Sequence, residues 1–151
     1  MSELARGRMD SMDKIHDFKV GETFTIQKKV TEDDTALNYG SGMLENLFAT
    51  PSLVALMIEA SSKLMDGQLP EGYITVGRKA MVEHNKPTVL GETVSVKVTI
   101  GEIIGSIVMI EMVAYDEVGE IGKGHHERVI VNKQSLLDRA NKREEKLHPY
   151  E

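Results

Sequence analysis

Two residues in this chain have types that suit chemistry on a carbonyl: Thr50 and His84. Phe48-Ala49-Thr50-Pro51 opens an apolar segment. Threonine is a favoured N-cap, because its hydroxyl accepts from a free N–H of the first helical turn, and proline fits the first helical position, where its missing N–H costs nothing. Thr50 is therefore expected to cap a helix whose start carries partial positive charge. His84 ends a segment of alternating hydrophobicity, and a period of two puts it on the face of Ile74, Val76, Ala80 and Val82. A hydroxyl, a helix N-terminus and an imidazole that titrates near neutrality can together bind and polarise a carbonyl or orient water. The plainer alternative is a helix cap and a hydrogen-bonded core histidine.

Other residues are weaker candidates. Glu59 follows the helix start at about 100° per residue, on a face with Ser62, Lys63 and Asp66 and opposite Leu53, Met57, Ala60 and Leu64. It precedes Lys63 by four, the spacing of a surface ion pair. Its functional alternative is an acid facing a cleft. Gly77 interrupts a strand, which signals a bulge or a backbone N–H offered to a ligand. Glu45 and Asn46 supply polar groups in the loop before the helix. His125 and His126 are adjacent, so a strand turns them to opposite faces, and no His or acid spacing suggests a metal site.

The elements that must position these residues follow from periodicity. A first strand lies within 18–30, around Phe24 and Ile26. Thr31-Glu32-Asp33-Asp34 reads as the start of a short helix reaching about Tyr39, and 40–47 reads as loop. The main helix is expected over 51–65 and stops at Asp66-Gly67. Strands follow at 73–86, 93–104, 106–115 and 121–132, with a hairpin turn at Asp116-Glu117-Val118-Gly119 and a charged helix over 135–146. Residues 1–17 read as a flexible leader, 18–146 as one domain and 147–151 as a polar tail. Short turns between strands make an antiparallel sheet, and one long apolar helix needs that sheet as cover. The expected class is α+β: a curved antiparallel sheet wrapped around one central helix, the hotdog architecture. Its open edges favour dimerisation through an edge strand.

Composition narrows the function. The chain has 151 residues, 40% apolar and 28% charged, which suits one soluble domain. A net charge of -6 and 5% aromatic content argue against nucleic-acid binding. No apolar run is long enough to span a bilayer, and no signal-peptide core is present. Cysteine is absent, which removes disulfides and thiolate catalysis and suits a cytoplasmic location.

Three motifs, in order, resemble those of the fluoroacetyl-CoA thioesterase-like hotdog proteins: Phe48-Ala49-Thr50-Pro51 with the apolar run after it, Val76-Gly77 followed by Val82-Glu83-His84, and Gly122-Lys123-Gly124-His125-His126-Glu127-Arg128. The resemblance covers residues 18–140. It implies a homodimer or dimer of dimers with sites between subunits. It implies hydrolysis of an acyl-CoA thioester by water, with no metal and no cofactor beyond the coenzyme A of the substrate. The family uses a threonine, a glutamate and a histidine; Thr50 and His84 fall on two of those positions. The glutamate position is Ile58 here, and Glu59 follows it. The resulting site has Thr50, His84 and Glu59 as catalytic residues, and Gly77, Asn46 and Arg128 as substrate-binding ones. Arg78, Lys79, Lys86, Lys123 and Arg128 are candidates for coenzyme A phosphates at a pocket mouth, although solvated strand faces suit most of them. Ile58 also favours a second reading, a dimer that binds acyl-CoA without turning it over. A hotdog hydratase would carry Asp-x-Asn-Pro, which does not occur.

Overall fold

The computed structural model describes residues 16–148. Strand β1 (Thr23–Lys29) is followed by helix α1 (Thr50–Met65) and strands β2 (Tyr73–His84), β3 (Thr93–Ile104), β4 (Ile107–Tyr115) and β5 (Glu120–Asn132). Helix α2 (Lys133–Glu144) closes the order. The strands form one sheet in the order β1-β3-β4-β5-β2, and every neighbouring pair is antiparallel. Both edge strands, β1 and β2, touch α1, as does β3. Four interstrand spacings of about 4.8 Å separate the edges, whereas a helix is about 10 Å across. One helix reaches both edges only if the sheet curves around it, as expected.

Alternation builds the core. Val94, Val96, Val98 and Ile100 of β3 and Val108, Ile110, Met112 and Ala114 of β4 are buried against Leu53, Leu56, Met57, Ala60 and Leu64 of α1. Among the described residues, no helix is long and apolar enough to cross a membrane.

Four local expectations are corrected. Residues 31–39 form two 3₁₀ turns, Glu32–Asp34 and Ala36–Asn38, and not one helix. The Asp34 carboxylate accepts from Thr31 N and Thr31 Oγ1 and pairs with Lys28 at 2.8 Å, while Thr35 is extended and bridges Phe48. Strand β2 ends at His84, where the N–H groups of Asn85 and Lys86 both turn to Ile121 O. It also carries a bulge: Gly77 pairs with Arg128, but Lys79 pairs with Glu127, so Arg78 is the extra residue. The bulge reverses the faces. Thr75 is inside before it and Val82 and His84 after it, so Ile74 and Val76 do not share the face of His84. Helix α2 starts earlier than expected because Asn132 Oδ1 accepts from Ser135 N. Of the expected leader, residues 1–15 lie outside the described residues; His16 and Asp17 run into Phe18, which is in the core. Of the tail, 149–151 lie outside them.

Candidate active site

The start of α1 is pinned from outside. Phe48 N donates to Thr88 O, Ala49 N to Asp34 O, and Leu53 N to Ala49 O. The N-cap is Ala49, in extended conformation, and no side chain caps the helix. The expectation that Thr50 is the cap is therefore corrected: it is the first helical residue, with Pro51 second. Its hydroxyl, free of the helix, lies 2.7 Å from His84 Nδ1.

His84 is held with equal care. It pairs across the sheet with Gly122. A Cβ at Gly122 would fall 2.5 Å from Glu83 O, so only glycine lets β5 come this close. The turn of Asn85 and Lys86 onto Ile121 O, at 2.7 and 3.1 Å, fixes the chain just past the ring. Phe48 packs edge-on to the imidazole with centroids 6.2 Å apart. Burial pushes the His84 pKa below its ordinary value, and the nearby Lys86 backbone only partly offsets this. The neutral ring is thus the favoured form. Nε2 is buried and has no hydrogen-bond partner among the described residues. Nδ1 can accept from the Thr50 hydroxyl, or donate to it in the other tautomer; a buried nitrogen without a partner on the opposite side costs stability unless something polar meets it.

The pair opens onto a cleft of about 550 Å³, a size suited to a small-molecule ligand. Its walls are the loop residues Tyr39, Leu44 and Leu47 on one side and Asn85, Lys86 and Pro87 on the other. Among the described residues no carboxylate lines it. A second cavity of about 380 Å³, by Met81, Glu83, Glu111, Lys123 and His125, shares none of the residues of the Thr50–His84 pair. The first cavity holds the polarised pair and is the candidate site.

The other expected residues are elsewhere. Glu59 pairs with Lys63 at 3.0 Å, both exposed, and does not line the cleft. Ile58, at the expected acid position, is 37% exposed. Asn46 accepts from Leu90 N through its backbone and does not line the cleft. Gly77, itself exposed, pairs across the sheet with Arg128, whose side chain sits in a separate, buried cluster. Arg128 donates from Nε to Thr75 Oγ1 (2.9 Å) and from Nη2 to Thr75 O (2.8 Å), and Nη1 lies 3.1 Å from His126 Nε2. Asp66 accepts from Thr75 N and Oγ1. A Cβ on Gly77 would come 3.1 Å from the His126 ring, which accounts for the glycine. Burial lowers the pKa of both His126 and Arg128. Sequence reasoning missed this network and the cleft wall at Tyr39 and Leu44. Thr75 in an otherwise apolar stretch was the one sign of the network.

Comparison with known proteins gives matches in sequence and in fold. The family model described as FlK, fluoroacetyl-CoA-specific thioesterase, matches residues 30–134. A fluoroacetyl-CoA thioesterase of Streptantibioticus cattleyicolor is 30% identical over 117 residues, covering 78% of this chain and 81% of that protein. The crystal structure of a hot-dog-like protein from Thermanaerovibrio acidaminovorans superposes with a TM-score of 0.79 at 33% identity, covering 83% of this chain and 93% of that one. A Thermus thermophilus thioesterase superfamily member gives 0.82 at 25% identity, covering 88% and 98%. The architecture is the hotdog fold, and by the match of the family model over residues 30–134 and its 30% identity to that thioesterase the chain belongs to the family of the fluoroacetyl-CoA-specific thioesterase FlK.

Proposed function

We propose that this protein is an acyl-CoA thioesterase that hydrolyses a small acyl thioester by direct attack of water. The observation that carries the reading is the Thr50 Oγ1–His84 Nδ1 contact of 2.7 Å in the lining of an otherwise mostly apolar cleft. In this reading the helix start polarises the thioester carbonyl, and the Thr50 hydroxyl, donating to His84 Nδ1, accepts from the attacking water and relays its proton to the ring. Neutral His84 takes a proton as water adds to the carbonyl carbon. The tetrahedral adduct collapses with cleavage of the C–S bond, and the proton goes to the leaving thiolate. The products are a carboxylic acid and a thiol. No metal enters the scheme, and among the described residues no three His, Asp or Glu side chains gather as a ligand set. A homodimer, with sites between subunits, and a cytoplasmic location are part of the same proposal.

The test is thiol release from a panel of short, branched and aromatic acyl-CoAs. Turnover that falls about 10²-fold in His84→Ala, with folding retained, supports the reading. Turnover per folded molecule that is unchanged in His84→Ala overturns it. The absence of a carboxylate from the cleft, with Ile58 at the acid position, favours a second reading: a non-catalytic acyl-CoA-binding dimer. Tight acyl-CoA binding without thiol release would select it.

A further inference from the structure

Lys86 is the cation among the residues that line the cleft, and no acidic residue accompanies it there. It is exposed and has no ion-pair partner among the described residues. Among the described residues Lys28, Lys63 and Arg78 are held in ion pairs, and Lys86 is not. The backbone of Lys86 is fixed: its N–H and that of Asn85 share Ile121 O, Pro87 follows it, and Thr88 is buried with its hydroxyl on Asp116 Oδ2 at 2.8 Å. A flexible ammonium thus stands on a rigid base two residues beyond His84. Two residues of chain span at most about 7 Å, the chain bends at Lys86, and the four-methylene stem gives the ammonium further reach. Lys86 both lines the cleft and is exposed to solvent, so its ammonium can meet a charged group of a ligand that enters there. In a thioester of the proposed kind the phosphates are carried by the thiol handle and not by the acyl group.

We propose that Lys86 is the phosphate subsite of this cleft, taking a phosphate of the thiol handle, either of coenzyme A or of a phosphopantetheine arm. The inference rests on the thioesterase reading for its substrate and adds what selects the handle. Of the five basic residues singled out along the strands, Lys86 lines the cleft, whereas Arg128 is buried on Thr75 and Arg78 pairs with Glu127. A lysine contacts phosphate as a compact point charge with three donors, so it needs no fixed fork geometry.

The experiment compares one acyl group carried on coenzyme A, on 3′-dephospho-coenzyme A, on 4′-phosphopantetheine and on phosphate-free N-acetylcysteamine. Lys86→Gln is expected to cut the preference in kcat/KM for the coenzyme A thioester over the N-acetylcysteamine thioester about tenfold, through KM, and Lys86→Arg to restore most of it. Retention of the effect with dephospho-coenzyme A and phosphopantetheine assigns the phosphate next to the pantetheine arm; its loss with both assigns the 3′-phosphate. An equal effect on the phosphate-free thioester, or an effect that follows a carboxylate in the acyl group, overturns the proposal. Calorimetric affinity for free coenzyme A, with pantetheine as control, reads the same contact without turnover. An affinity about tenfold weaker in Lys86→Gln supports the subsite even in a protein that hydrolyses nothing, and an unchanged affinity rejects it.

Discussion

Thr50 is available to a substrate because it does not cap its own helix. The cap is the Ala49 backbone, held by Asp34 O, and the threonine hydroxyl is left for His84. Two consequences separate chemistry from stability. Thr50→Val should lower thioester turnover by about 10²-fold and Thr50→Ser much less, because serine keeps the hydroxyl. Neither should cost the ~1 kcal/mol typical of a lost N-cap, and urea midpoints measured beside the rates check both points. The pH dependence follows from burial. His84 has a pKa below the ordinary histidine value of 6.5, and it must be neutral to accept a proton. The acid limb of kcat/KM should then lie below 6.5, as a pH–rate profile on one acyl-CoA would show. For stability the sign is the same. His84 and His126 are both lowered in the folded state, so the unfolded chain binds more protons between the folded and unfolded values. Their contribution is complete above the unfolded pKa and is lost as pH falls through the folded one, so the urea midpoint should drop on the acid side of 6.5. Thr50 and His84 could be picked from sequence because a Thr-Pro helix start and a histidine ending an apolar strand are local signals. Which of Ala49 and Thr50 caps the helix was not legible, since that depends on Asp34 and Thr88, distant in sequence.

Strand β2 shows what periodicity can and cannot deliver. Its extent was readable to within two residues, but its faces were not, because one extra residue at Arg78 reverses them. The reason for the bulge lies across the sheet. His126 and Arg128 of β5 point inward, Arg128 ties itself to Thr75, and Gly77 leaves the room they need. A one-strand pattern does not contain that constraint. Beyond the bulge, β2 and β5 run unusually close at Gly122 and Gly124. A Cβ at Gly124 would fall inside the van der Waals shell of the Met81 carbonyl oxygen, and that neighbour is backbone, which cannot rotate away. Gly124→Ala should therefore destabilise the fold by about 3 kcal/mol, the upper end of overpacking costs. Denaturant unfolding measures this; a change under about 1 kcal/mol would show that the two strands separate without strain. The same close approach sets the height of His84 over Gly122, so the surviving folded enzyme should also show a raised KM or lowered kcat.

At the scale of the molecule, the sheet covers the central helix only in part. The side of α1 that bears Pro51, Ala55 and Ile58 is exposed, with Val54 and Ser62 half-buried beside it. Next to it β2 is an edge of the sheet, with Ala80 and Met81 exposed. The open edge offers a row of unpaired N–H and C=O groups to another strand. A second copy related by a two-fold axis would pair β2 with β2, extend the sheet and bring the Ile58 side of the helix under cover, because a two-fold contact uses the same patch on both partners. The solution species is expected to be at least a dimer of the 16.8 kDa chain at micromolar concentration, measured by sedimentation equilibrium. A monomer there would remove the basis for a site shared between subunits. Ile58→Glu sharpens the point, since it alters the exposed helix face at the position where the resemblance implies an acid. If Ile58 is an interface residue, a charge buried there without a partner weakens the dimer, because desolvating an unpaired carboxylate is costly. If the position instead faces the cleft of the assembled dimer, the dimer persists and turnover rises as His84 gains an acidic neighbour. Mass and rate measured on the same sample separate the two: a dimer with a higher rate places Ile58 at the site, and a monomer with a lower rate places it in the contact.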